Sequence, residues 1–225
     1  MSRQLRLKLN QSKAFTRQDL VVAPSNQQAV SAIDAWPRWH GGVLALVGPS
    51  GVGKSHLASS WAQTVGARRL PDGPVDFSAL TGAPVLYEDA DRDLERREEV
   101  LFHLINMAAQ PGGGLLITAR TPPSAWPAAL ADLRSRLNAL LVAEIEEPDD
   151  AILDGVLSKF FRERNIRPAT DVIPYLLRRI ERSVPKALEI VVRLDEAADA
   201  EGRAISRALA RQILESEPPT LSLFD

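Results

Sequence analysis

The sequence predicts an α/β fold, in which a parallel five-stranded sheet is flanked by helices and followed by a small bundle of helices. Up to about residue 147, short apolar runs alternate with helix-forming stretches, which is the pattern of strand–helix units in a parallel sheet. A glycine-rich turn joins the first apolar run to a helix-forming stretch. From Pro148 onward no strand-like run remains, and apolar residues recur at helical spacing.

The five strands are predicted from their apolar runs. The first is apolar throughout, as expected of a strand buried on both faces. The third leads into two acids. In chain order the predicted strands are 43–47, 67–70, 84–87, 115–118 and 140–145, and the helices between and before them are 26–36, 57–65, 93–109 and 130–137. A short extended piece is also predicted at 15–22.

The predicted division of the chain follows from these patterns. Residues 1–14 are basic and polar and form an arm, 15–147 form the α/β domain, 148–217 the helical domain and 218–225 a tail. Four amphipathic helices are predicted in the helical domain, with Thr170 or Asp171 capping the second and the third starting near Ser183.

A complete phosphate-binding loop lies between the first strand and the next helix, since residues 48–55 read Gly-Pro-Ser-Gly-Val-Gly-Lys-Ser. The glycines let successive N–H groups turn toward a polyphosphate, and the following helix adds its positive end. Lys54 is expected to reach the β- and γ-phosphates, and the Ser55 hydroxyl to bind Mg²⁺. The predicted ligand is therefore a nucleoside di- or triphosphate with Mg²⁺. The predicted nucleotide-binding residues of this segment are Gly48, Pro49, Ser50, Gly51, Val52, Gly53, Lys54, Ser55 and His56.

Two acids, Glu88 and Asp89, follow the third predicted strand. In phosphate-loop enzymes such a pair divides two tasks: one carboxylate holds Mg²⁺ and the next orients the attacking water. The pair therefore joins Ser55 in a predicted metal site, and Asp89 is also a candidate catalytic residue. The alternative is that acids end this strand because strands end at the surface.

Composition excludes several other classes of function. The net charge of −2 gives no bulk reason to bind nucleic acid or acidic membranes, and the absence of cysteine excludes disulfides and thiolate metal sites. The three histidines lack metal-ligand spacing and are interpreted as structural. No apolar run approaches a membrane span, and the polar start is not a signal peptide. A cytoplasmic location is expected.

Four segments, in order, resemble the DnaA clade of AAA+ ATPases. They are Gly53–Leu57 (GKSHL), Ile117–Pro123 (ITARTPP), Asp132–Leu137 (DLRSRL) and Val184–Glu189 (VPKALE). They match the phosphate loop, the first sensor, the box that carries the arginine finger and the second-sensor helix. The resemblance covers about residues 15 to 215 and implies an AAA+ P-loop NTPase with a C-terminal helical lid. It also implies that Leu20 and Val21 pack on the adenine and that Lys186 contacts the nucleotide.

Because the chain stops where the DNA-binding domain of DnaA would begin, it is similar to the Hda family of DnaA-related regulatory proteins, in its HdaA-like form. Members carry a Q-L-x-L motif that docks on the β sliding clamp (DnaN). The clamp-binding residues implied here are Gln4, Leu5, Leu7 and Leu9. The alternative is that this segment is an edge strand of the domain. The tail Leu221–Phe224 resembles a second clamp-binding ending, with Thr220 in place of glutamine.

The resemblance assigns Arg136 as an arginine finger that acts in trans, with Arg134 as a less favoured substitute. It implies that the ADP-bound (or ATP-bound) protein docks on the clamp and stimulates ATP hydrolysis by DnaA, a negative control of replication initiation. DNA is reached only through the loaded clamp, and no membrane is involved. The oligomeric state stays open, a homodimer included.

Three departures from the family pattern predict that the chain's own ATPase activity is weak while ADP binding is retained. Glu88 replaces the usual first aspartate, Arg120 stands at the first-sensor aspartate, and Lys186 stands at the second-sensor arginine.

Two rival functions stay open at this point. One is a helicase or transposase loader of the DnaC or IstB kind, which binds single-stranded DNA and needs a basic surface. The other is a small-molecule kinase, which needs an acceptor pocket and a catalytic base that the sequence does not indicate.

Overall fold

The computed structural model of the chain describes residues 22–216. Within this range five strands form one parallel sheet in the order β2–β3–β4–β1–β5. The strands are β1 (Val43–Val47), β2 (Arg68–Arg69), β3 (Pro84–Tyr87), β4 (Gly114–Ala119) and β5 (Leu141–Glu144). The parallel five-stranded α/β fold predicted from the sequence is therefore confirmed.

Helices connect and follow these strands. They are α1 (Pro24–Asp34), α2 (Lys54–Val65), α3 (Phe77–Leu80), α4 (Leu94–Ala108), α5 (Ala131–Asn138), α6 (Asp150–Glu163), α7 (Val172–Leu177), α8 (Val184–Glu201) and α9 (Arg207–Glu215). None of these helices is long and apolar enough to cross a membrane.

The central strands β1, β3 and β4 are buried on both faces, whereas the two edge strands are largely exposed, which explains why β1 is apolar at every position. Alternate side chains of a strand point to opposite faces. Val43, Ala45 and Val47 belong to the core that β1 shares with α3, α4 and α5. Leu44 and Leu46 belong to the core shared with α1 and α2. Burying both faces leaves the carboxyl edge of the strands as the place where polar side chains collect.

The helices α6 to α9 have a hydrophobic core of their own, built around residues such as Leu157, Leu176 and Leu194, each fully buried. An aspartate and a serine side chain fix where α6 and α8 begin. Asp149 accepts a hydrogen bond from the Ile152 N–H at the start of α6 (2.9 Å). The Ser183 hydroxyl accepts one from the Lys186 N–H at the start of α8 (3.2 Å).

The structure also departs in detail from the sequence predictions. The helix α2 starts at Lys54, three residues before the predicted start, and β2 has only two residues. The short helix α3 was not predicted, and α7 ends at Leu177 although Ile180 is buried in the same core. Asp171 is the N-terminal cap of α7 in position, but its side chain accepts no capping hydrogen bond. The predicted arm, the piece at 15–21 and the tail from 217 lie outside the described residues.

Candidate nucleotide-binding site

The loop between β1 and α2 has a backbone that only glycine allows at three positions. Gly48, Gly51 and Gly53 have φ of +150°, +80° and +104°. A Cβ on Gly48 would lie 2.3 Å from the Ile145 carbonyl oxygen, and one on Gly51 would lie 3.1 Å from the Pro185 ring. The loop is therefore a turn packed closely between β5 and α8, with the spacing and conformation of a phosphate cradle.

Lys54 opens α2 and is nearly buried, with 7% of its surface exposed. Its ammonium group donates hydrogen bonds to the carbonyl oxygens of Gly48 (2.6 Å) and Pro49 (2.7 Å). Burial lowers the pKa of Lys54, and the negative charges of Asp89 and Asp91 oppose this shift. Burial disfavours the charged form of Lys54, and the phosphates of a bound nucleotide would favour it.

The ends of β3 and β4 are joined by Thr118, which is fully buried. Its hydroxyl accepts a hydrogen bond from the Asp89 N–H (2.9 Å), and its carbonyl accepts one from the Ala90 N–H (2.9 Å). Asp89 has φ of +50°, a conformation that aspartate adopts more readily than most residues. The turn after β3 is thus fixed by β4, and it holds Asp89 beside the phosphate loop. The Asp89 carboxylate is paired with Arg92 at 3.0 Å.

Asp91 is a residue of this site that the sequence analysis missed. One of its carboxylate oxygens accepts a hydrogen bond from the Arg120 N–H (2.8 Å), which ties the turn after β3 to the segment after β4. The other oxygen is buried and has no hydrogen-bond partner among the described residues. The available signal was its position, because it lies two residues after Asp89 in the same turn.

Glu88 points toward a different partner from Asp89. Its carboxylate forms an ion pair with the guanidinium of Arg69 on β2. The same guanidinium donates a hydrogen bond to the Ser59 hydroxyl on α2 (2.6 Å). Ser59 lies one helical turn after Ser55, so Arg69 holds Glu88 next to the helix that begins at the phosphate loop.

The residues present fit a magnesium ion only with help from a nucleotide. Within residues 22–216 no group of three or more His, Asp and Glu side chains is arranged as a metal site. Ser55 is exposed at the start of α2, and of the two predicted acids Glu88 is paired with Arg69. A magnesium ion here would be held by the Ser55 hydroxyl and a carboxylate, and it would need the phosphate oxygens of a nucleotide as further ligands.

The first turn of α8 lies directly on the phosphate loop. The Val184 N–H donates a hydrogen bond to the Gly51 carbonyl oxygen (3.2 Å), and the Pro185 ring packs on Gly51. Lys186 is the next residue of this turn of α8. Its ammonium group lies 3.3 Å from both carboxylate oxygens of Glu189.

The start of α1 is connected to the junction with the helical part. The Glu146 N–H donates to the Ser25 carbonyl oxygen (3.0 Å), and the Ser25 hydroxyl donates to Asp149 (3.3 Å). Arg182, which precedes α8, is paired with Asp150 at the start of α6 (2.8 Å). Some predicted site residues lie outside the described residues. They are the adenine contacts Leu20 and Val21 and the clamp-binding residues Gln4, Leu5, Leu7 and Leu9.

Arg136 lies on the surface of α5, with its guanidinium carbon 5.0 Å from the centre of the Phe102 ring. Arg134 is also exposed. The charged groups that act on Lys54 come from the segments after β3 and β4, not from α5. The structure thus gathers the loop, Asp89 and the start of α8 in one place, and it presents Arg136 elsewhere, to the solvent.

A parallel sheet in this order, a phosphate loop between β1 and α2, and a helical lid on that loop define an AAA+ P-loop NTPase fold. No family model matches the chain. It is 24% identical over 232 aligned residues to the chromosomal replication initiator protein DnaA of Thermomicrobium roseum, covering 89% of this chain and 49% of that protein. The chain spans about half the length of the curated relatives it matches.

Solved structures share the fold. Domain III of the replication initiation protein DnaA from Thermotoga maritima matches with a TM-score of 0.75 and 18% identity, covering 90% of this chain and 96% of that one. A replication initiator DnaA bound to AMPPCP and single-stranded DNA matches with a TM-score of 0.65 and 18% identity, covering 84% and 68%. The chain is thus homologous, over most of its length, to the AAA+ region of DnaA.

Proposed function

We propose that this chain is a regulator of replication initiation that holds ADP with Mg²⁺ and stimulates ATP hydrolysis by DnaA through Arg136 supplied in trans. In this proposal residues 15–147 are the nucleotide-binding domain and 148–217 the lid. The arm 1–14 binds the β sliding clamp through Gln4, Leu5, Leu7 and Leu9. The proposed place of action is the cytoplasm, with DNA reached through the loaded clamp.

The observation that carries the proposal is the exposure of Arg136 on an AAA+ fold homologous to DnaA. A guanidinium that stabilises the charge of a transferring phosphoryl group accelerates hydrolysis by about 10³–10⁵-fold when a partner supplies it. Within residues 22–216, the Arg136 guanidinium rests on the Phe102 ring rather than on a carboxylate. It is therefore available to a triphosphate held by a second protein.

The cradle supports the nucleotide half of the proposal. Burial lowers the pKa of Lys54, and the two phosphate groups of a diphosphate next to it would favour its charged form. The lid contact between Val184 and Gly51 places the N-terminus of α8 over the same loop. The nucleotide would be held between the two parts.

The surroundings of Glu88, which follows β3, are the reason why we expect the chain itself to hydrolyse ATP weakly. With Glu88 paired with Arg69, Mg²⁺ must compete with a guanidinium for this carboxylate. Arg120 brings positive charge to the segment after β4, where it acts on Lys54. These features favour a protein that retains its nucleotide over one that turns it over.

The experiment that tests the proposal measures single-turnover hydrolysis of DnaA-bound ATP with clamp-loaded DNA and this protein. We expect wild type to accelerate hydrolysis and Arg136→Ala to abolish the acceleration. Arg134→Ala is the matched control and should retain it. A variant lacking residues 1–9 should lose clamp capture and clamp-dependent stimulation while still binding ADP.

Full stimulation by Arg136→Ala would refute the finger assignment, and undiminished clamp capture by the shortened variant would refute the arm assignment. The alternative function, a loader that binds single-stranded DNA, has one observation in its favour: a DnaA neighbour is bound to single-stranded DNA. Salt-sensitive binding of single-stranded DNA by this protein without the clamp would favour that alternative.

A further inference from the structure

We propose that α4 is the platform that positions the arginine finger, through Glu98 at the start of α5 and Phe102 beneath Arg136. This inference rests on the proposed function, because it matters only if Arg136 acts on a partner's nucleotide. Glu98 and Phe102 are positioning residues in this account, since neither reaches a nucleotide itself.

Glu98 fixes the beginning of α5. It is nearly buried, with 9% of its surface exposed. One carboxylate oxygen accepts a hydrogen bond from the Ala129 N–H (2.5 Å) and the other accepts one from the Leu130 N–H (3.2 Å). Both donors immediately precede the first residue of α5. A buried carboxylate that satisfies two N–H groups at a helix start holds that start in place, and its charge suits the positive end of the helix.

Phe102 fixes the direction of the Arg136 side chain. The guanidinium carbon lies 5.0 Å from the ring centre, within the range of a cation–π contact. Phe102 itself is partly buried and packs on the core that α4 shares with the sheet. The ring is thus anchored from below, and its face supports a guanidinium that would otherwise sample many rotamers.

The two contacts act on opposite ends of α5 from one face of α4. Glu98 and Phe102 are four residues apart and therefore on the same side of the helix. The helix α5 has only eight residues, too few to be stable alone. The buried Leu133 and Leu137 anchor it in the core that it shares with the sheet and α4, and the contacts from α4 hold the segment before its start and the Arg136 side chain near its end. A finger must reach a partner's phosphate in a narrow range of geometry, so preorganisation by α4 raises the rate of hydrolysis.

The test uses the DnaA hydrolysis assay with full-length variants of this protein. Phe102→Leu keeps an apolar side chain but removes the ring, and we expect the maximal stimulated rate to fall about two- to five-fold. The concentration for half-maximal stimulation should not change, because docking is unaffected. Phe102→Trp keeps an aromatic ring face and should stimulate at about the wild-type rate. Glu98→Gln exchanges one acceptor for a donor and should lower the rate about ten-fold.

Controls separate positioning from folding. Glu99→Gln changes an exposed neighbour on α4 and should behave as wild type. ADP affinity should be unaltered in every variant. The inference is overturned if Phe102→Leu stimulates fully, or if Phe102→Trp fails to exceed Phe102→Leu. If Arg136→Ala itself retains stimulation, the proposed function fails along with the inference. Loss with Arg136→Ala but not with Phe102→Leu would overturn the inference alone.

Discussion

The phosphate loop and the surface of α5 are built on opposite principles. The loop is closely packed at both of its ends: a Cβ on Gly48 would overlap the Ile145 carbonyl oxygen, and Lys54 is 7% exposed. Arg136 is held by one ring and faces solvent. Both regions carry a cation suited to phosphate. The Lys54 ammonium group is surrounded by its own chain, whereas the Arg136 guanidinium is exposed to solvent.

The two cations differ in whether their function can be tested on the isolated protein. A closely packed cradle binds whatever fits it, so its function can be tested on the isolated protein. An exposed arginine has no function until a second molecule meets it. Substitutions in the loop should therefore alter the protein's own ligand binding strongly, and substitutions on α5 should alter it little.

The largest effect is expected from Gly48→Ala. The new Cβ would lie 2.3 Å from the Ile145 carbonyl oxygen, so the loop must move. We expect nucleotide affinity, measured by isothermal titration calorimetry, to fall by more than about 100-fold. The free energy of unfolding should fall by about 3 kcal/mol. Gly73→Ala is the matched control, because a Cβ there meets no atom within 4 Å. Wild-type affinity in Gly48→Ala would contradict the closely packed loop.

A smaller effect is expected from Lys54→Met, which removes the charge but keeps the apolar stem. Loss of a charged hydrogen bond to phosphate should lower ADP affinity about 10- to 100-fold. Because burial lowers the pKa of Lys54, the fold disfavours its charged form at neutral pH. This penalty fades only as the pH rises above the lowered pKa toward the ordinary value for lysine. Lys54→Met removes this penalty together with the two hydrogen bonds to the Gly48 and Pro49 carbonyl oxygens, and these effects oppose each other. The melting temperature without nucleotide should therefore change by less than about 4 °C. Lys159→Met on α6 is the control, and a larger fall in Lys54→Met alone would contradict this balance.

The central strands of the sheet could be predicted from sequence because they are buried on both faces. β1 and β3 have the predicted bounds, since a short apolar run bounded by Gly or Pro is typical of a buried strand. β2 was predicted longer than it is. It is a two-residue edge strand made of Arg68 and Arg69, and an edge strand this short leaves almost no pattern. The helix α3 has four residues and depends on its Asp76 cap, whose carboxylate accepts the Ser78 N–H.

The site was predictable only where it is local in sequence. The phosphate loop is one continuous motif, so Gly48 to Ser55 could be identified together. Asp91 and Arg69 were missed because their roles depend on contacts between segments. Asp91 meets Arg120 across 29 positions, and Arg69 meets Glu88 across 19. The order of the strands in the sheet brings these pairs together, and the spacing of the residues in the sequence does not indicate that order.

A modest effect is expected from Arg69→Ala, which tests whether Glu88 can bind Mg²⁺ once its ion pair is removed. Removing the guanidinium frees Glu88, so Mg²⁺ should gain a ligand. We expect the ratio of ADP affinities with and without Mg²⁺ to rise a few-fold, about what an exposed ion pair allows. Arg68→Ala on the same strand is the control. An unchanged ratio in Arg69→Ala would show that Glu88 does not serve the metal, paired or free.

The smallest effect on the protein itself is expected from Arg136→Ala. The contact with Phe102 contributes about 0.5–1 kcal/mol at an exposed site, which corresponds to a melting-temperature change of about 1–4 °C for a chain of this size. ADP affinity should stay within about two-fold of wild type, because the charges that act on Lys54 lie on other segments. Calorimetry and thermal unfolding of the isolated protein measure both quantities. A ten-fold loss of ADP affinity would place Arg136 at the chain's own nucleotide. Lys54 and Arg136 would then serve the same ligand, and the contrast between the two regions would no longer hold.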